Sequence, residues 1–322
     1  MKTILSLAKG FSLTRKNASL ILIFFLTNLI LSLVLTAPIY SSLNSSLSRS
    51  QTAEAALEEF DYLWWREFRD QAQGIEKSFS PTTITGKGPF LDNLVLLKNI
   101  GFFNLPYSMA VGFLLFLFVK AFLSAGLLSI YNQEQVNSRS RTFFGEGIRF
   151  FPRFLIIMFV SWIFFLLVGI CLNQFLGLIV KRVAENSVSD RTPFFLNLFF
   201  SLFVLLLLFF IQMLFDYARI NVVVQNSKNI IKSIIQAFSF VFNNLGKTLS
   251  LFYLIILIQF VLVITFIFVE GRLPQHTFPG IIVLLVVQQL FILGIISLRC
   301  WLYASELSLY KDIIQNGIRG NS

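Results

Sequence analysis

The feature that most constrains this chain is a series of six apolar runs, each long enough to cross a membrane as a helix. A bilayer core of about 30 Å requires about 20 apolar residues at a helical rise of 1.5 Å per residue. The runs do not alternate apolar and polar residues as barrel strands would, and unpaired backbone cannot cross hydrocarbon. The six predicted transmembrane helices cover residues 20–40, 106–128, 154–180, 193–214, 249–269 and 278–298.

The composition agrees with a membrane protein, because 56% of the 322 residues are hydrophobic and only 13% are charged. A soluble domain carries about 25% charged residues, so the charge that would cover a water-facing surface is missing. This excludes a soluble enzyme and a disordered protein, and two cysteines, Cys171 and Cys300, are too few for a disulfide scaffold. The predicted fold class is an all-α polytopic membrane protein with six transmembrane helices.

The positive charges fall mainly on one side of the predicted helices. The side that holds both termini and the loops after even-numbered spans has fifteen Lys and Arg residues against five acids, whereas the other side has ten against eleven. Because cytoplasmic loops carry the excess of Lys and Arg, both termini are predicted to be cytoplasmic. These cations flank the membrane, so the expected partner is the lipid bilayer with its anionic headgroups, and no nucleic acid is expected.

A repeat is indicated by the spacing of prolines and alanines along the even-numbered spans. Pro106, Pro193 and Pro279 each open one of these spans, 87 and 86 residues apart. Proline suits the first turn of a helix, where its missing N–H would have no partner. Near the other ends of the same spans the sequence places Ala125, Ala218 and Ala304.

Three short segments that precede the odd-numbered spans also resemble one another: residues 8–13, 146–150 and 236–240. The last is the clearest, because seven apolar residues from Ile231 to Leu245 form one stripe at helical spacing, with Lys228 and Lys232 off it. Such a helix lies in the membrane interface rather than across the bilayer. The sequence therefore predicts three units, each an interfacial cytoplasmic helix followed by a transmembrane hairpin.

Several segments resemble known bacterial membrane proteins. The basic segment 9–17, the end of the first span at Ala37-Pro38, and Phe60-Asp61 in the next loop resemble a group of bacterial six-span proteins of unassigned function. The step 216–219, Asp-Tyr-Ala-Arg, into an amphipathic helix is similar to the membrane domain attached to some glycerophosphodiester phosphodiesterases. The catalytic domain of those enzymes has no counterpart here. The resemblance therefore implies a fold and a bacterial inner membrane, and no activity.

The predicted organisation has three parts: an interfacial helix with the first span (1–40), an extracytoplasmic helical insert (41–105) and a five-span bundle (106–322). The first apolar run is longer than the 7–15-residue core of a signal peptide, so it is predicted to be a retained span.

The insert is predicted to contain a helix whose stripe is formed by Leu57, Phe60, Trp64 and Phe68, and a second helix over residues 91–100. A segment of this size has a marginal core, so it is expected to pack on the membrane or to bind a protein partner. Trp64 and Trp65 fit an interfacial belt, an anchor for a partner, or a ligand lid.

Catalytic chemistry finds little support in the sequence. His276 is the single histidine, and both cysteines lie within spans, so a zinc site of the usual His/Cys type cannot be assembled. No phosphate-binding glycine motif is present. The chain is therefore expected not to be an enzyme and to hold no cofactor or metal.

Charged residues within or near the spans are the remaining candidates for function. Lys120 lies in the second span, Asp216 and Arg219 are neighbours at the end of the fourth, and Arg299 and Glu306 follow the sixth at a similar depth. The last four residues fit either an ionic cluster that ties the units together or a gate. Lys120 fits a counter-charge for a substrate, a buried ion pair, or a boundary residue if its span begins near residue 99.

Two functions fit these features. The first is an envelope scaffold or transport-associated component of the inner membrane without a catalytic motif. The alternative is a permease subunit that moves a lipid or another amphiphile, with or without a separate ATPase.

Overall fold

The computed structural model describes residues 2–47, 62–72, 107–133, 139–187, 191–273 and 277–320. Every regular element in these ranges is an α-helix. The helices are α1 (Lys2–Lys16), α2 (Ala18–Leu47), α3 (Tyr62–Gln71), α4 (Tyr107–Asn132), α5 (Arg139–Glu185), α6 (Arg191–Val224), α7 (Ile230–Asn243), α8 (Leu245–Glu270) and α9 (Phe278–Gly320). The predicted second helix of the insert, residues 91–100, lies outside the described ranges, as do Leu57, Phe60, Asn99, Pro106 and His276.

Five of these helices, α4, α5, α6, α8 and α9, are long and apolar enough to cross a membrane, and α1 with α2 forms a bent pair that makes a sixth candidate. Their apolar side chains are not covered by the rest of the protein. On α6, for example, Phe194, Phe195 and Phe199 are each more than 60% exposed. Because so large an apolar surface is kept from water only by lipid, the chain is an all-α polytopic membrane protein, as the sequence predicts.

The longest helices exceed the thickness of a bilayer. At 1.5 Å per residue, the 47 residues of α5 extend for about 70 Å and the 43 residues of α9 for about 65 Å. The hydrocarbon core is only about 30 Å thick. Both helices therefore continue well beyond it, further than the 154–180 and 278–298 spans predicted from hydropathy.

The chain divides into two compact units. Unit 1 consists of Met1–Ala18, Ala121–Leu257 and Leu298–Ser322, and unit 2 of Ser19–Lys120 and Ile258–Ser297. Unit 1 contains most of the completely buried side chains in the described residues, including the three alanines of the predicted repeat, Ala125, Ala218 and Ala304, each 0% exposed. A larger residue at any of these three positions would collide with its neighbours, which explains why small residues recur there.

Within unit 2, α8 packs on α9 and α3 packs on α2. The rings of Phe266 and Phe291 stack with centroids 4.2 Å apart. In the insert, Trp64 donates a hydrogen bond from Nε1 to Ser46 Oγ at 3.0 Å, and Phe68 is 4% exposed. This hydrogen bond joins the insert helix α3 to the end of α2. Helix α2 continues seven residues beyond the predicted span.

Two of the three predicted interfacial helices are separate elements, and both end at an asparagine. Asn17 follows α1 and donates a hydrogen bond from Nδ2 to Leu13 O at 2.8 Å. Asn244 follows α7 and makes the same bond to Phe240 O at 3.0 Å. In each case a side-chain amide satisfies a carbonyl at the helix end, and the chain then starts a new helix.

The middle interfacial helix differs from the prediction, because residues 146–150 belong to the same continuous helix, α5, as the span that follows. Seven residues after Gly10, Gly147 and Ala237 the chain has Asn17, Phe154 and Asn244 respectively. Phe154 is completely buried and has no amide to cap a helix end. The helix therefore continues through Pro152 into the span.

Candidate functional site

The four predicted charges, in the last third of α6 and the middle of α9, come together in unit 1. Asp216 on α6 is completely buried and accepts a hydrogen bond on Oδ1 from Nη1 of Arg219 at 2.6 Å. Arg299 on α9 donates from Nη2 to both oxygens of the same carboxylate, at 2.8 Å each. The carboxylate therefore binds two guanidinium groups, one from its own helix and one from α9 that links the two helices.

Helical spacing places each member of this ion cluster, which we define as Asp216, Arg219, Arg299 and Tyr303. Asp216 and Arg219 are three residues apart, so their side chains share one face of α6. Arg299 and Tyr303 are four residues apart on α9, where Nη2 of the arginine donates to the phenolic oxygen at 3.0 Å and the guanidinium lies 4.4 Å from the ring centroid. The tyrosine thus holds Arg299 in position to reach Asp216.

The electrostatics of the cluster follow from its burial. Arg219 and Arg299 have side chains 16% and 21% exposed, whereas Asp216 is 0% exposed. A buried carboxylate is stable only when paired and hydrogen-bonded, and both conditions are met here. The arginines lie between the buried carboxylate and the surface of unit 1.

Glu306 lies near this cluster but does not join its hydrogen bonds. It is completely buried, within electrostatic range of Asp216, Arg299 and Arg219. Neither carboxylate oxygen has a hydrogen-bond partner among the described residues. Four other buried polar atoms of unit 1 share that condition: Ser129 Oγ, Tyr131 OH, Tyr217 OH and Ser305 Oγ.

A second polar network, not found from the sequence, joins α6, α7 and α9. Asn221 is completely buried and donates from Nδ2 to Ser233 O at 2.9 Å and to Gln236 Oε1 at 3.3 Å. Tyr310 on α9 donates its hydroxyl proton to Asn221 Oδ1 at 3.0 Å. Asn221 lies only five residues beyond Asp216, and this position on the same helix was the one signal that could have identified it.

Close packing of α1 on α9 completes this part of unit 1. Gly10 lies so near the backbone of Ser305 that an added Cβ would come within 2.7 Å of the serine Cα. Trp301 donates from Nε1 to Leu7 O at 3.0 Å, and Lys9 pairs with Asp312 at 2.9 Å. The sequence identified Gly10 as part of a repeated segment but did not predict its partner.

Lys120, the fifth predicted charge, is assigned to unit 2, in the middle of α4, where its side chain is exposed. The alternative that its span begins near residue 99 concerns residues outside the described ranges.

The paired charges of this site fasten α6 to α9. In the part of the chain that the structure describes, no three His, Cys, Asp or Glu residues are grouped so as to hold a metal ion. The two arginines of the ion cluster are both engaged by Asp216. Among the four charges Asp216, Arg219, Arg299 and Glu306, only Glu306 forms no hydrogen bond with another described residue.

Comparison with known proteins finds no family model, no curated protein and no solved structure that matches this chain.

Proposed function

We propose that this chain is a non-enzymatic scaffold or transport-associated component of the bacterial cytoplasmic membrane. The observation that carries the proposal is the use of its buried charges. Asp216 is hydrogen-bonded by both Arg219 and Arg299, so these charges link α6 to α9. Charges that are paired with each other in this way stabilise an assembly of helices and are not free to bind a substrate.

The proposed topology has six membrane spans with both termini on the cytoplasmic side. It is supported by the excess of Lys and Arg on that side of the sequence. The insert of residues 41–105 would then face the opposite side and offer a surface to a protein partner. Its described helix presents Leu63, which is 75% exposed, beside Trp64 and Trp65.

The alternative is a permease subunit that moves a lipid or another amphiphile, with or without a separate ATPase. One observation favours it, namely the buried carboxylate of Glu306 without a hydrogen-bond partner among the described residues. A buried polar group left unsatisfied costs about 1–3 kcal/mol and calls for an explanation. A group that binds and releases a proton during transport would be one.

The experiment that separates the two uses inverted membrane vesicles from cells that overproduce the protein, because such vesicles retain any partner ATPase. A short-chain fluorescent phosphatidylglycerol is added with ATP, and its movement between leaflets is measured by quenching with dithionite. A scaffold gives the same rate as vesicles without the protein. A permease gives a faster rate that Glu306→Gln lowers.

The matched control is Glu185→Gln, which neutralises an exposed acid at the C-terminal end of α5. An accelerated rate that Glu306→Gln removes and Glu185→Gln leaves intact would overturn the scaffold proposal in favour of the permease. Background rates for all three proteins, at equal protein content, support the scaffold.

A further inference from the structure

The three amphipathic segments of unit 1 share one pattern of exposure: α1, residues 141–153 of α5, and α7. We propose that together they form a docking surface for anionic phospholipid of the membrane in which the protein is embedded. We call these segments the collar. The proposal depends on membrane embedding and applies equally to a scaffold and to a permease.

Helix α7 has three distinct faces rather than the two of an ordinary amphipathic helix. One face is buried in unit 1, as at Ser233, Ala237 and Val241. A second face is apolar but exposed, with Ile231 69%, Ile235 63% and Phe242 55% exposed. The third face is polar and exposed, and carries Lys232, Gln236, Ser239 and Asn243.

The three faces correspond to three surroundings. The buried face packs on the protein, and the polar face meets water. The exposed apolar face requires a covering of low polarity, because leaving several large side chains in water costs about 25 cal/mol per Å². A helix with one apolar and one polar exposed face is expected to lie in the plane of the membrane interface.

The other two segments space their buried and exposed residues in a similar way. Each segment has two buried positions four residues apart: Ser6 and Gly10, Phe143 and Gly147, Ser233 and Ala237. One residue beyond Gly10 and Gly147, an apolar side chain is exposed, namely Phe11 (54%) and Ile148 (68%). Exposed cations follow on the adjacent face, at Lys16 in α1 and Arg149 in α5.

The position of the collar along the chain favours lipid as the occupant. A single residue, Asn17, joins α1 to the helix that follows it, and a single residue, Asn244, joins α7 to the membrane helix α8. The α5 segment continues directly into its span. None of the three segments can therefore lie far from the bilayer surface, where the apolar edge meets acyl chains and the cations meet headgroup phosphates.

Charge complementarity specifies an anionic lipid. Lys228 and Lys232 are exposed beside the apolar edge of α7, and neither forms an ion pair within the described ranges. Arg15 in α1 and Arg141 in α5 are also exposed, and neither forms an ion pair within the described ranges. A basic group near an anionic surface contributes about a fivefold gain in affinity.

The test measures lipid binding to the full chain in a mild detergent by native mass spectrometry. The probes are phosphatidylglycerol and phosphatidylcholine with the same acyl chains, titrated separately. The unaltered protein is expected to bind phosphatidylglycerol more tightly. The variant Lys228→Gln/Lys232→Gln should lose about 25-fold in the affinity of one phosphatidylglycerol site and bind phosphatidylcholine as before, since two fivefold contributions are removed.

The matched control is Lys181→Gln/Arg182→Gln, which removes two adjacent exposed cations at the other end of α5. Circular dichroism confirms that all proteins are folded, as expected for exposed positions. Equal affinity for the two lipids, an unchanged affinity in the α7 variant, or an equal loss in the control would overturn the proposal. So would displacement of phosphatidylglycerol by inorganic phosphate alone, since that result would indicate a site for a soluble anion.

Discussion

Arg299 on α9 donates hydrogen bonds from Nη2 to both carboxylate oxygens of Asp216 on α6, at 2.8 Å each, although the two residues are 83 positions apart in the chain. Arg219 supplies a second cation to the same carboxylate from within α6. The pair is buried, so breaking it takes two hydrogen bonds from a buried carboxylate and costs more than loss of a surface pair. This link constrains how these two helices pack in unit 1.

Replacement of Arg299 tests that link. Arg299→Met keeps much of the side-chain volume but leaves Asp216 buried with Arg219 as its one cation. We expect a loss of about 3 kcal/mol in the free energy of unfolding, measured by denaturant unfolding in mixed micelles. The control Lys247→Met, at an exposed position of α8, should lose less than about 0.5 kcal/mol. Equal losses in the two variants would contradict the structural role of the cluster.

Replacement of Glu306, unlike that of Arg299, should not lower the free energy of unfolding. Glu306→Gln replaces a buried carboxyl group that accepts no hydrogen bond from the described residues, so we expect the free energy of unfolding to stay the same or to rise. Asp216→Asn, the same chemical change at a carboxylate held by two arginines, should lower it by about 2 kcal/mol or more. An equal loss in the two variants, in the same unfolding assay, would contradict this expectation. It would show that the Glu306 carboxyl group forms a stabilising contact.

The contact of α1 with α9 depends on the absence of a side chain at Gly10. In Gly10→Val, the new Cβ meets the backbone of Ser305, so α1 must move away and the free energy of unfolding should fall by about 1–3 kcal/mol. Release of α1 should also expose residues 2–16 to limited proteolysis. Gly145→Val is the control, because a Cβ at that helical glycine meets nothing within 4 Å. Resistance of Gly10→Val to the protease at wild-type level would show that the contact is dispensable.

The proposed topology predicts a pattern of chemical labelling. In a background of Cys171→Ser and Cys300→Ala, single cysteines are introduced at two exposed positions, Lys181 and Lys232. A membrane-impermeant maleimide added to intact cells should label Lys181→Cys strongly and Lys232→Cys at least about tenfold less. Lysed cells should label both. Strong labelling of both cysteines in intact cells would contradict the placement of the collar on the cytoplasmic side.

Much of the fold could be predicted from local patterns. Apolar runs specify helices because a chain in hydrocarbon must satisfy its backbone within the helix, and α4, α5, α6, α8 and α9 contain the predicted spans. The recurrence of Ala125, Ala218 and Ala304 indicates a repeat, and all three are completely buried in the structure. The apolar runs are local signals, which is why the sequence carries them.

Other features depend on which helices meet. The apolar stripe predicted over α7 proved to be two faces, because Ile234 and Val241 pack in the protein whereas Ile231 and Phe242 remain exposed. Periodicity alone cannot divide a broad stripe in this way, since both halves have the same hydrophobicity.

By itself, the sequence determined an all-α membrane protein, the approximate places of its apolar helices and the charged residues of the candidate site. Tertiary structure alone decided that Arg299 joins Arg219 on Asp216 while Glu306, equally buried, receives no hydrogen bond from the described residues. The physical reason is that hydrophobicity and helical spacing are local properties, whereas pairing between residues 83 positions apart depends on the rotation and depth of two packed helices.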